Sequence, residues 1–127
     1  MLILNHPCIE SLNIVCVHSQ NQIAQTLPTD FLVLTCDSLE KTLTLAHYCS
    51  NNAITYSKIV TSVKESLLLV NLNVRFLLCT NLNLAQSLQK LAETYLFDAK
   101  ILFCIQDEEE IEKIAKYGID GVLFAKL

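Results

Sequence analysis

The chain has 127 residues, of which 52% are hydrophobic and 17% are charged, and its net charge at pH 7 is -4. A chain of this length buries roughly two thirds of its unfolded surface, and so much apolar area with so little charge excludes a disordered segment. The nine Lys and Arg residues form no basic stripe, which argues against nucleic acid as a partner.

The start of the chain lacks the features of a targeting segment. Residues 1–10, MLILNHPCIE, have neither the basic region nor the long apolar stretch of a signal peptide. No apolar run reaches the roughly 18 to 20 residues that cross a bilayer, and the nearest one, 67–80, is interrupted by Asn71, Asn73 and Arg75. We therefore predict a cytoplasmic protein without direct membrane insertion.

Six apolar runs follow one another along the chain, at 13–17, 31–36, 54–60, 75–80, 100–105 and 121–125. Most are continuous rather than alternating, which is typical of parallel strands with both faces covered. Between them lie four stretches whose apolar residues have helical spacing: Leu39, Leu43 and Ala46; Val63, Leu67 and Val70; Leu84, Leu88, Leu91 and Ala92; and Ile111, Ile114 and Ala115.

The segment 107–120, DEEEIEKIAKYGID, gives the clearest helix prediction. The acids at 107–110 suit the positive end of a helix dipole, and Gly118 suits the left-handed position after the last turn. Four consecutive acids on a helix point in different directions. We therefore interpret them as a solvated helix start rather than as a metal site.

The alternation of strands and helices predicts an α/β fold. Because right-handed crossovers can place helices on both faces of a parallel sheet, we expect a three-layer, doubly wound, mainly parallel six-stranded sheet of Rossmann-like order 3-2-1-4-5-6. One such domain accounts for residues 1–127, with 1–12 as an N-terminal extension.

Cysteine usage indicates a reducing environment. The chain has six cysteines, and four of them lie inside the apolar runs, where a reduced thiol acts as a small core residue: Cys16, Cys36, Cys79 and Cys104. We predict neither a disulfide framework nor a cysteine nucleophile.

The run 74–124 carries the features of a known family. A strand ends in Thr80, a Leu/Ala-rich helix face follows at 88–92, the strand ILFCI leads into the acidic helix, and Gly118, Asp120 and Val122 introduce the last strand. In order and spacing the chain resembles the RCK (regulator of potassium conductance) or TrkA-N type domain, and the likeness extends from residue 13 onward. It implies a regulatory domain that forms homodimers or larger homo-oligomers and acts on a membrane potassium channel or transporter.

The glycine-rich phosphate loop of that family has no counterpart here. The positions of its three glycines are occupied by His18, Gln20 and Ile23, and a side chain at Gln20 takes the space of the phosphate. The acidic position that holds the ribose falls at Thr35 or Asp37. We therefore predict that the usual dinucleotide binding is lost and that neither NAD nor an adenine nucleotide is a cofactor.

Any ligand is expected at the carboxyl ends of the strands, because open α/β sheets bind ligands there. The candidates are the polar residues that follow the strands: His18, Ser19, Gln20, Asp37, Thr80 and Asn81. Each also fits a turn residue or a helix cap. No catalytic residue is predicted, because no nucleophile, base and oxyanion donor come together in the sequence.

Two H-x-C pairs raise the question of a metal. His6 with Cys8 and His47 with Cys49 supply four nitrogen and sulfur ligands, the number that a tetrahedral zinc site needs. One pair precedes the first predicted strand and the other closes a helix, and nothing in the sequence brings them together. We predict no metal site.

These observations predict a non-enzymatic regulatory or assembly domain. The alternative is a degenerate receiver-like signalling or protein-interaction domain, in which His18 and Ser19 replace the paired acids of a true receiver and Val60 and Thr61 replace its phosphoacceptor. Strand order separates the two, since 3-2-1-4-5-6 favours the first and 2-1-3-4-5 the second. A small enzyme that uses the cleft at the carboxyl edge is a third hypothesis.

Overall fold

Seven parallel strands form one curled sheet in the computed structural model, which describes residues 1–127. The strands are β1 (Leu2–Leu4), β2 (Ile14–Val17), β3 (Phe31–Leu34), β4 (Ser57–Ile59), β5 (Phe76–Cys79), β6 (Lys100–Ile105) and β7 (Gly121–Phe124). The helices are α1 (Gln20–Ala24), α2 (Leu39–Asn51), α3 (Val63–Val70), α4 (Leu82–Tyr95) and α5 (Glu109–Ala115). None of these helices combines the length and the hydropathy needed to cross a bilayer.

The strands from β2 to β7 lie side by side in the order in which they occur in the chain. The complete order is β1-β7-β6-β5-β4-β3-β2, and every neighbouring pair is parallel. Right-handed crossovers that all step in one direction place every helix on the same face of the sheet. Sequential order of this kind is also the winding of (β/α) barrels.

Two groups of buried side chains show which face the helices cover. The larger group combines one face of the strands with residues of all five helices, among them Ile23, Cys49, Leu69, Leu88 and Ile114. The smaller group lies on the opposite face and contains only strand residues: Val33, Leu78, Leu102 and Leu123. This second face is therefore shielded by the curl of the sheet and not by a second layer of helices.

The predicted Rossmann-like alternation on a parallel sheet is confirmed, but its finer description was wrong. The sheet has seven strands rather than six, its order is sequential rather than 3-2-1-4-5-6, and the helices form one layer rather than two. The added strand, β1, lies within the segment predicted as an N-terminal extension, and Leu2 pairs there with Gly121. Continuous apolar runs arise equally from a second helix layer and from a sheet that curls on itself.

Residues 5–13 connect the carboxyl end of β1 to the amino end of β2, the two strands at the edges of the sheet. Asn5 Nδ2 donates to the Phe124 carbonyl at 2.8 Å, and the Leu12 N–H donates to Asn5 Oδ1 at 2.9 Å. Asn5 has a φ of 61°, a left-handed conformation that Asn adopts more readily than most residues. One side chain thus ties the carboxyl end of β7 to the approach to β2, which brings the two edges toward each other.

The helix predicted from the acidic segment is present as α5. Glu110 accepts the N–H groups of Gln106 at 3.1 Å and of Asp107 at 3.2 Å, so its carboxylate fixes the turn that leads into the helix. Gly118 has a φ of 70°, as expected for the left-handed residue that follows the helix. The local signals at both ends of this element are confirmed.

Candidate functional site

The polar residues predicted as ligand contacts lie at the carboxyl ends of three strands: His18, Ser19 and Gln20 after β2, Asp37 after β3, and Thr80 and Asn81 after β5. Among residues that follow different strands, the structure brings only His18 and Asp37 together. They line a pocket of about 230 Å³ with Thr35, Cys36 and Lys41. β4 lies between β3 and β5, so the polar residues after β5 are separate from this pocket.

The turn between β2 and α1 is closed by its own side chains. Ser19 Oγ accepts the Gln22 N–H at 3.2 Å, and Gln22 Oε1 accepts the His18 N–H at 2.7 Å. Gln22 Nε2 also lies 3.2 Å from His18 Nε2. In a dinucleotide site, phosphate oxygens accept such N–H groups. Ser19 and Gln22 therefore supply the acceptors that a phosphate would otherwise provide.

The pocket between β2 and β3 contains one exposed ion pair. Asp37 Oδ1 lies 3.4 Å from Lys41 Nζ, and the two side chains are 81% and 70% exposed. An exposed pair of this kind contributes only about 0.3 to 0.5 kcal/mol. Ser38 caps α2 by accepting the Lys41 N–H at 3.2 Å. Asp37 also fits a helix cap from the sequence, but the cap of α2 is made by the next residue, Ser38.

The thiols of Cys36, just after β3, and of Cys79 and Cys104, on β5 and β6, are held in their neutral form. Burial raises the pKa of Cys36, raises the pKa of Cys104 to about 11 and raises the pKa of Cys79 to about 12. A neutral thiol is a poor nucleophile. Cys79 is a buried core residue, as the sequence indicates, whereas Cys36 and Cys104 are only half-buried. Cys16 was also predicted as a core residue, but it is exposed because β2 is an edge strand that pairs only with β3.

The two candidates after β5 belong to a helix start. Asn81 is the residue that caps α4, and its Oδ1 accepts the Leu84 N–H at 3.0 Å. Thr80 is exposed beside it. The Asn81 amide oxygen, which the sequence offers as a ligand contact, is therefore engaged by the backbone of its own helix.

A buried ion pair lies at the carboxyl end of β4, and sequence reasoning missed it. Lys58 Nζ donates to the Ile59 carbonyl at 2.7 Å and lies 3.6 Å from Glu65 Oε2, with both side chains about one-tenth exposed. Glu65 Oε1 accepts the Thr61 N–H at 3.1 Å. The available signal was a lysine inside an apolar strand with an acid seven positions later. The pair fixes α3 against β4, and both of its charged groups have partners within the chain.

A second pair that sequence reasoning missed joins the segment after β1 to the residue before α5. The Cys8 N–H donates to His6 Nδ1 at 3.1 Å, so Nε2 carries the ring proton and donates to Glu108 Oε1 at 2.5 Å. The His6 and Phe124 rings pack edge to face, with ring centroids 5.0 Å apart. Both ring nitrogens therefore have partners within the chain. The pairing joins residues 102 positions apart, which no local pattern indicates.

The two H-x-C pairs remain separate in the structure. His6 and Cys8 lie in the segment after β1, whereas His47 and Cys49 lie on α2, where His47 Nδ1 is 3.2 Å from the Asn51 amide nitrogen. The structure contains no group of three or more His, Cys, Asp or Glu side chains placed to hold a metal ion.

The larger depression lies at the opposite end of the sheet, between α3 and α4. Its volume is about 740 Å³, and nine of its 13 lining residues are hydrophobic. Val63, Leu67 and Val70, predicted as the stripe of α3 that packs on the sheet, form one wall and are only half-buried. The buried residues of this helix are instead Ser66 and Leu69. Val63 and Val70 also pack against the main core, so the apolar stripe of α3 lies between the core and the groove.

The other side of this groove is formed by the end of α4. Tyr95 and Leu96 are 68% and 82% exposed, and Leu96 has a left-handed φ of 54°. Arg75 and Asp98 also line the groove, are exposed and form no ion pair. We refer to this surface, with the walls formed by α3 and by Tyr95 and Leu96, as the α3–α4 groove.

A scan of the sequence against protein-family models finds no match, and a search of the curated proteins finds none either. Neither comparison supports the resemblance to RCK-type domains, which stays a prediction from the sequence. The observed strand order is neither 3-2-1-4-5-6 nor 2-1-3-4-5, so it favours neither of the two families weighed from the sequence.

Proposed function

We propose that the chain is a non-enzymatic regulatory or assembly domain that acts through protein contacts at the α3–α4 groove. The observation that carries the proposal is the groove itself, with a volume of about 740 Å³, a largely apolar lining and the exposed Tyr95 and Leu96 beside it. Single exposed apolar residues are ordinary on protein surfaces. A recess with adjoining exposed aromatic and aliphatic side chains is typical of a binding surface.

Three polar groups at the carboxyl ends of the strands already have partners within the chain, which supports a binding role over catalysis. Gln22 engages the His18 N–H, Glu65 engages Lys58, and His6 engages Glu108. A catalytic site requires a nucleophile, a base and hydrogen-bond donors directed at one point. The proposed binding surface therefore lies at the amino ends of β5 and β6, at the α3–α4 groove.

The resemblance to RCK-type domains gives the proposal a more specific form. In that form the domain acts in the cytoplasm, as a homo-oligomer, on a potassium channel or transporter, and it binds neither NAD nor an adenine nucleotide. The general form does not depend on the resemblance, since the groove and its exposed side chains carry it. A receiver-like signalling role has no comparable observation in its favour.

Calorimetry and thermal-shift measurements with NAD(H), ATP, ADP, AMP and cyclic dinucleotides test the proposal. We expect no saturable heat and no ligand-dependent rise in melting temperature. The variant Gln22→Ala, which frees the His18 N–H, is the matched comparison, because any phosphate binding at this turn should improve in it. Saturable micromolar binding of NAD or ATP by the unmodified chain would overturn the more specific form of the proposal, in which neither NAD nor an adenine nucleotide binds.

A further inference from the structure

We infer that the α3–α4 groove is occupied by a second copy of this chain, which gives a dimer with two-fold symmetry. The inference rests on the proposed function, because it names the partner for the surface proposed there. It is carried by three properties of that surface: an unfavourable residue at its edge, a shape that complements itself, and two unpaired charges of opposite sign.

Leu96 is unfavourable in a monomer for two independent reasons. Its φ of 54° lies in the left-handed region, where the residue after a helix is usually glycine or asparagine because a β-carbon is strained there. Its side chain is also 82% exposed, more than any other large hydrophobic residue of the chain. Glycine would remove both disadvantages. A leucine at this position becomes favourable when its side chain is buried in a complex.

The groove has an apolar projection on one side and an apolar recess on the other. Tyr95 and Leu96 project at one side, and Val63, Leu67 and Val70 form the apolar wall at the other. A two-fold axis places the same surface patch of two copies face to face. When that patch contains a projection beside a recess, the projection of each copy fills the recess of the other. In the dimer, each copy places Tyr95 and Leu96 against α3 of the other copy.

The charges at the groove fit the same symmetry. Arg75 and Asp98 both line the groove and neither has an ion-pair partner, although the Arg75 guanidinium lies 5.4 Å from the centre of the Phe76 ring. A two-fold axis brings Arg75 of each copy opposite Asp98 of the other, which gives two ion pairs between the copies. Such charge matching selects the correct partner and register. A different partner would have to supply both an acidic and a basic side chain, one for Arg75 and one for Asp98.

Sedimentation equilibrium measures the self-association directly, from about 1 µM to about 500 µM, a range in which weak and transient interfaces are detected. We expect the mass to approach twice the 14.3 kDa of the single chain. Leu96→Gly should weaken the dimer at least tenfold while the monomer keeps its circular dichroism spectrum, since glycine suits the left-handed position. Leu27→Ala, at a residue that is 64% exposed outside the groove, should leave the dimer unchanged.

Charge reversal tests the two-fold arrangement itself. Arg75→Glu and Asp98→Arg should each weaken self-association, because each places two like charges opposite one another. A mixture of these two variants should form a heterodimer, since each contact then joins opposite charges. The double variant should recover self-association. Recovery in the double variant without heterodimer formation in the mixture would show that the pair acts within one chain, and it would overturn the arrangement.

The two proposals fail in different ways. A chain that stays monomeric throughout the concentration range, or a dimer that Leu96→Gly leaves intact, overturns the second copy as occupant and leaves the absence of nucleotide binding untouched. Saturable nucleotide binding overturns the more specific form of the proposed function, in which neither NAD nor an adenine nucleotide binds, and it does not alter the sedimentation result.

Discussion

Gln89 and Asp120 exchange two hydrogen bonds: Gln89 Nε2 donates to Asp120 Oδ1, and the Asp120 N–H donates to Gln89 Oε1, each at 3.0 Å. The second carboxylate oxygen of Asp120 accepts the Ile101 N–H at 2.9 Å. The pair therefore fastens α4 to the amino ends of β6 and β7. Asp120 belongs to the segment that carries the family resemblance, and in this fold its carboxylate has a structural role.

Replacing Asp120 by alanine is expected to lower the free energy of unfolding by about 2 to 4 kcal/mol, because it leaves the Gln89 amide and the Ile101 N–H without their acceptor. Urea denaturation followed by circular dichroism measures the loss. Asp37→Ala serves as the control, since Asp37 is exposed and should change stability by less than about 0.5 kcal/mol. Equal effects of the two substitutions would contradict the structural role of Asp120.

The two glycines of the chain should respond very differently to alanine. A Cβ at Gly121 would lie 2.5 Å from the Leu2 carbonyl oxygen and 2.9 Å from Leu102 Cδ2, so Gly121→Ala must displace β1. We expect a loss of about 3 kcal/mol or more. At Gly118 nothing lies within 4 Å of the added atom, and only the left-handed φ of 70° opposes alanine, which costs about 1 kcal/mol. Guanidinium denaturation of both variants checks this order, and a larger loss at Gly118 would refute it.

Lys58 and Glu65 should show strong coupling in a double-mutant cycle. Glu65→Leu leaves the buried Lys58 ammonium without its carboxylate, and we expect a loss of about 3 kcal/mol. The double variant Lys58→Met, Glu65→Leu should lose clearly less than the sum of the single variants, because neither charge then remains buried alone. Chemical denaturation of the four proteins gives the coupling free energy. Additive losses would mean that the two side chains act independently.

Stability is expected to fall at alkaline pH through the buried thiols. Burial raises the pKa of Cys49 and Cys104 to about 11 and that of Cys79 to about 12, from an ordinary value of 9.0. Below pH 9 these thiols are neutral in both states. Between pH 9 and 12 the unfolded chain releases their protons first, so the folded state binds more protons and the free energy of unfolding decreases as pH rises.

Denaturation at a series of pH values measures that slope. Cys79→Ala should make it shallower by removing one of the buried thiols, whereas Cys8→Ala, at an exposed cysteine, should leave it unchanged. If Cys79→Ala and the unmodified chain lose stability at the same rate between pH 9 and 12, the buried thiols are not responsible for the decline.

Much of the secondary structure follows from local pattern. Each of the six apolar runs contains an observed strand, and the helical spacings fall within α2, α3, α4 and α5. Parallel pairing was also predictable, because continuous apolar runs indicate strands covered on both faces. β1 escaped prediction because three residues are too short to show a period, and its pairing with β7 depends on residues at the far end of the chain.

Strand order and the site depend on information that local pattern does not contain. The side chain of Leu102 has the same hydropathy whether it meets a helix or the inside of a curled sheet. In the same way, the apolar stripe of Val63, Leu67 and Val70 predicts a buried face, but it does not state that the face lines a groove. The predicted ligand residues lie at strand ends, and only the hydrogen bonds in the structure show that Ser19 and Asn81 cap their own helices.

Sequential strand order also bears on how the chain folds. Each strand from β2 to β7 can pair with the preceding one after closing only a short loop, so this part of the sheet can grow stepwise at little entropic cost. β1 is different, because Asn5 reaches Phe124 across 119 positions. We therefore expect the first strand of the chain to be the last to join the sheet, after its neighbour β7 has been synthesised and folded.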